Sequence, residues 1–80
     1  MTYPKVTIDW RDAYSIDEWT DMKEIESQPD FAGCTTIGFL VHETPGAYFV
    51  AGSLGAGDAS CIMVIDKHSV TNVNFEQKPN

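Results

Sequence analysis

Positive charge is scarce in this chain. Five lysines and arginines stand against twelve aspartates and glutamates, a formal net charge of −7 over 80 residues. Such a balance is repelled by phosphate backbones, which disfavours direct nucleic-acid binding. Long apolar runs are missing too. Nothing approaches the roughly 20 consecutive apolar residues of a membrane span, and the opening Met1-Thr-Tyr-Pro-Lys-Val-Thr-Ile-Asp-Trp lacks an apolar stretch of signal-peptide length. A cytoplasmic protein is the expectation. Internal repeats and low-complexity segments are likewise lacking.

Only two cysteines are present, Cys34 and Cys61. Both fall in expected strands and read as buried thiols acting as small hydrophobes; a disulfide would require those strands to bring them together. With His42 and His68 they form no C-x-x-C or H-x-x-x-H spacing, so no metal site is expected. A Cys–His nucleophile is disfavoured as well, because apolar strand surroundings raise a thiol's pKa and blunt it. Gly55-Ala56-Gly57-Asp58 lacks the further glycine and the Lys-Ser/Thr of nucleotide loops. It reads as a flexible connection that can close over a small ligand, with Asp58 at its tip.

What is present fits one small soluble domain spanning residues 1–80. Apolar residues make up 42% and charged residues 21% of the chain, which argues against disorder. A chain this short buries only about 60% of its unfolded surface, so the core must be small.

The stretch Cys34 to Leu54 organises the rest. Two arms rich in β-branched and aromatic residues flank Thr44-Pro45-Gly46, the sign of a β-hairpin, with Pro45 presetting one corner and Gly46 offering a positive φ at the next. Gly38 and Gly52 interrupt the arms, where a bulge, a bend or a close backbone approach is expected. Lys5 to Trp10 alternates strictly, with Val6, Ile8 and Trp10 on one face, and reads as a half-buried strand. Ser60-Cys-Ile-Met-Val-Ile is apolar on both faces, the pattern of a central strand. Asp66 to Ser69 reads as a tight turn, Val70 to Phe75 as a last short strand, and the tail from Glu76 as a fraying end.

Negative charge is concentrated in residues 9–30, where eight acids face Arg11 and Lys23. Ser15-Ile16-Asp17-Glu18 fits a capping box, with Tyr14 and Trp19 in hydrophobic-staple positions. Ile16, Trp19, Met22 and Ile25 recur every third residue. These features predict one irregular helix over about 16–26, or two short turns with a break near Thr20. Asp21-Met-Lys-Glu is a second start signal, and Gln28-Pro29 ends the element.

Five short strands with close turns and one short helix between the first two strands predict a mainly β (α+β) fold: a strongly bent antiparallel sheet or a five-stranded small barrel. The bent hairpin with Ile37-Gly38-Phe39-Leu40 in its first arm, and the short link Val64-Ile-Asp-Lys-His-Ser-Val70, resemble the Sm-like and SH3-like small barrels. In those barrels that link is one turn of 3₁₀ helix. The resemblance covers about residues 34–75 and carries no functional residues across; the RNA-binding positions of Sm proteins have no match here. The whole chain is similar to small uncharacterised bacteriophage-encoded proteins, through Val6-Thr-Ile-Asp-Trp-Arg-Asp-Ala, Trp19, Cys34-Thr-Thr-Ile-Gly-Phe-Leu-Val and Val64-Ile-Asp-Lys-His-Ser-Val. Those relatives usually carry proline where Asp66 stands. The resemblance implies a phage accessory role, such as host takeover or counter-defence in the bacterial host cytoplasm.

The expected function is therefore non-catalytic binding, with no cofactor. The first reading is engagement of a host protein's basic surface through Asp17, Glu18, Trp19, Asp21 and Glu24, or through the loop rim at Asp58. A second is self-association through strand edges with capture of a small anionic ligand, such as a nucleotide signal, against which the few cations Lys5, Arg11, Lys23, Lys67 and Lys78 count. A third is a scaffold subunit. For the carboxylates, solvation alone is the plainer explanation. For Trp10 and Trp19 the plainer role is anchoring the core rather than lining a binding face.

Overall fold

A computed structural model describes residues 2–76. Five strands form one antiparallel sheet: β1 (Lys5–Asp12), β2 (Ala32–Glu43), β3 (Ala47–Leu54), β4 (Ala59–Asp66) and β5 (Val70–Phe75). A five-residue helix, α1 (Met22–Glu26), lies between β1 and β2, and a 3₁₀ turn (Lys67–Ser69) joins β4 to β5. The strand order is β4-β3-β2-β1-β5. β4 and β5 are not paired with each other, so the sheet is open rather than closed into a barrel. No helix among the described residues is long and apolar enough to cross a membrane. The tail beyond residue 76, including Lys78, lies outside the described residues.

Alternation along β1 sets the core. Val6 and Ile8 are fully buried and Trp10 packs beside them. β1 pairs with β2 through Ile8↔Thr36 and Trp10↔Cys34, and with β5 through Ile8↔Val73. The Trp10 indole N–H donates to Thr36 Oγ1 at 2.9 Å, so the ring is held within the sheet as well as packed. From the other half of the sheet, Val50 of β3 and Ile65 of β4 complete the buried cluster, with Leu40 and Tyr48 against it.

The glycine inside the second strand has a local cause. A Cβ placed on Gly38 would collide with the Ala51 carbonyl oxygen and stand 2.9 Å from Val50 Cγ1. Only glycine lets β3 come down on β2 there. The register slip itself sits further along, between Leu40 and His42. Gly52 faces a second irregularity: Cys61 adopts φ 57°, and a Cβ on Gly52 would lie 3.1 Å from Cys61 Cβ. At the hairpin tip Gly46 does not use a positive φ. Thr44 closes that turn instead, its Oγ1 accepting from the N–H groups of Gly46 and Ala47. The Gly46 carbonyl accepts from Lys67 N–H at 2.9 Å, which ties the tip to the 3₁₀ turn.

Three expectations are corrected. β4 is an edge strand, not a central one, and the central strand is β2. Apolar residues on both faces of β4 reflect a strand that this chain leaves uncovered: Ile62, Met63 and Val64 are 44%, 44% and 54% exposed. Cys61 is exposed and Cys34 half-buried, both as free thiols, because one lies on that open edge and the other near the sheet's end. Finally, Ser15 does not start a helix. Its hydroxyl meets Asp17 at 3.4 Å, and the second start signal is the one used: Asp21 caps α1 by accepting from Lys23 N–H. An isolated helix of eleven residues is marginal without a surface to pack on, and only the turn capped at both ends, by Asp21 and Ser27, remains.

Candidate functional site

Between β1 and β2 the chain leaves the sheet as an arm. From Arg11 to Phe31 every residue is exposed except Thr20, which is half-buried. The arm nevertheless carries large apolar side chains. Tyr14, Ile16, Ile25 and Phe31 are between 43% and 48% exposed, Met22 is 73% exposed, and Trp19 stands fully in solvent at 106%. Trp19 is thus no core anchor, whereas Trp10 is.

The arm folds back on itself. The Tyr14 hydroxyl donates to the Pro29 carbonyl, joining its two ends. Arg11 lies over the Phe31 ring at 5.0 Å, at the point where the arm returns to the sheet. Thr20 donates to the Glu18 carbonyl, which shapes the corner carrying Trp19. Together these turns enclose an open groove of about 760 Å³, with Tyr14, Ile16, Ile25 and Phe31 supplying apolar surface. Asp17, Glu18, Trp19 and Asp30 also line it.

Of the six residues singled out from the sequence, the fold brings Asp17, Glu18 and Trp19 together on this groove. Asp21 and Glu24 do not line it. Asp21 is occupied as the α1 cap, and its carbonyl also accepts from Glu24 and Ile25 N–H; the Glu24 carbonyl accepts from Ser27. Asp58 belongs to a different place, the β3–β4 loop, where its carbonyl accepts from Gly55 N–H at 2.8 Å. It lines a separate hollow with Tyr3, Val41 and Leu54. Sequence reasoning missed Tyr14, Asp30 and Phe31 as groove residues. Pro29 was the available signal, since a proline that ends the helix also turns the chain back on Tyr14.

Among the described residues, the arm's carboxylates are not neutralised by cations, and no acid of the segment 9–30 forms an ion pair. Lys5 pairs with Glu76 at 3.8 Å, and Lys67 pairs with Glu43 at 2.6 Å while lying over Tyr48. Asp9 instead accepts from Thr35 Oγ1 at 2.8 Å, which braces β1 against β2. His42 is exposed and stands edge-on to Phe49, and His68 beside Asp66 is also exposed. No group of three His, Cys, Asp or Glu side chains among the described residues is placed to hold a metal ion.

No family model, curated protein or solved structure matches this chain.

Proposed function

We propose that the chain is a non-catalytic binding protein of the phage accessory kind, and that it engages a basic protein surface of its host through the arm between β1 and β2. The observation that carries this reading is Trp19, fully exposed on an arm whose carboxylates have no cationic partner among the described residues. Tryptophan burial on binding supplies a large apolar and π contribution, and it is the residue type most enriched at interface hot spots. The surrounding Asp17, Glu18 and Asp30 favour a partner rich in Lys and Arg, steer its approach and disfavour acidic competitors. Apolar groove walls beside the carboxylates suit the aliphatic stems of such side chains.

The test is capture of a bacterial protein on the immobilised full chain, compared with Trp19→Ala and with Asp17→Asn/Glu18→Gln/Asp30→Asn. Both variants should lose the captured partner, and capture by the parent chain should weaken steeply with added salt. Undiminished capture by the neutralised variant would remove the acidic groove as its basis.

A further inference from the structure

The open edge at β4 carries a separate inference. Native sheets protect their edges with charge, proline or strong bulges. From Ala59 to Ile65 β4 has neither charge nor proline, and its single irregularity, Cys61, leaves Ile62 to Ile65 extended. Met63 lies opposite Val50, and Ile62 and Val64 lie opposite Ala51 and Phe49, so the exposed side chains stand on both faces of the sheet. The molecule is also elongated. Its radius of gyration is 16.5 Å, against about 12 Å for a compact domain of this length.

We infer that β4 pairs antiparallel with β4 of a second copy of this chain, about a two-fold axis at Met63 or Val64. With the axis at Met63, self-pairing sets Ile62 against Val64 and Cys61 against Ile65; with the axis at Val64, Met63 meets Ile65, while Ile62 meets Asp66 at the strand's end. Pairing β4 with β5 of another copy is the competing arrangement. It would set the same run against a strand in which the exposed polar Thr71, Asn72 and Asn74 alternate with Val73 and Phe75, a less apolar match than β4 offers itself. The isologous contact uses one patch twice and closes at two copies. It extends the backbone ladder across ten strands and covers both faces of the edge. Stable interfaces bury about 1,200 Å² or more in total; one strand edge lies at or below that size, so the dimer forms reversibly with concentration.

Sedimentation of the full chain over a wide concentration range should show a monomer–dimer equilibrium. Met63→Lys, whose side chain reaches solvent in the monomer, should keep the β circular-dichroism signature and weaken the dimer at least about tenfold, because an axis at Met63 sets two like charges together and an axis at Val64 sets each new charge against the apolar Ile65. With both native cysteines changed to serine, Met63→Cys or Val64→Cys should couple to itself through a short bis-maleimide, and Asn72→Cys should not. A species larger than a dimer, an unchanged dimer in Met63→Lys, or failure of both cysteine variants to couple would overturn the proposal.

Discussion

Ala51 crosses Gly38 so closely that its carbonyl oxygen occupies the space a Cβ at position 38 would need. The contact sits on the long second strand, which has β1 on one side of it and β3 on the other. Gly38→Ala should therefore force the two backbones apart and destabilise the chain by about 1–3 kcal/mol, as overpacking does. Urea denaturation of the two proteins, compared at matched concentration, measures it.

Trp10 should behave as a sheet residue with a hydrogen bond of its own. Trp10→Phe removes the indole N–H that meets Thr36 Oγ1 at 2.9 Å. The expected loss is about 0.5–1.5 kcal/mol beyond the change in packing. A double-mutant cycle with Thr36→Val isolates that contribution, and an interaction energy near zero would exclude the bond.

The two tryptophans should separate by fluorescence. In Trp19→Phe the remaining Trp10 should emit to the blue and resist acrylamide. In Trp10→Phe the remaining Trp19 should emit as free indole in water and quench freely. Trp19→Phe should also leave unfolding within about 0.5 kcal/mol of the parent, because the side chain stands fully in solvent.

Asp66 should matter for the corner between β4 and β5. Its carboxylate accepts from His68 N–H at 3.0 Å, and its carbonyl from the Ser69 hydroxyl at 2.7 Å. Asp66→Ala should cost about 0.5–2 kcal/mol, the usual range for losing a cap, and Asp66→Asn much less. Thermal melts of the three proteins provide the comparison.

How far these features could be read from residues alone differs from element to element. Strict alternation in Val6-Thr7-Ile8-Asp9-Trp10 fixes which face of β1 is buried, and the structure buries that face. The hairpin arms follow from β-branched content, and of the outcomes a glycine inside a strand allows, the close backbone approach is the one found at Gly38. β4 reads as central and lies at an edge, because a strand buried on both faces and an edge strand with Ile62, Met63 and Val64 left exposed share one sequence pattern. The arm misled for a different reason. Ile16, Trp19, Met22 and Ile25 have nearly helical spacing, but spacing stabilises a helix only where a surface receives the stripe, and among the described residues none does. Asp17, Glu18 and Trp19 were legible as neighbours in sequence; their joining with Tyr14, Asp30 and Phe31 depends on the turn at Pro29 and the Tyr14 hydrogen bond.

Cross-strand proton contacts by NMR test the open sheet most directly, in the Met63→Lys variant kept dilute so that contacts come from single copies. An open sheet gives contacts for Ile8 with both Thr36 and Val73, and for Val50 with both Leu40 and Met63, with none joining β4 to β5. Contacts between Ile62–Val64 and Thr71–Asn74 within one chain would mean that the strands close into a barrel, and the exposed edge on which the dimer rests would not exist.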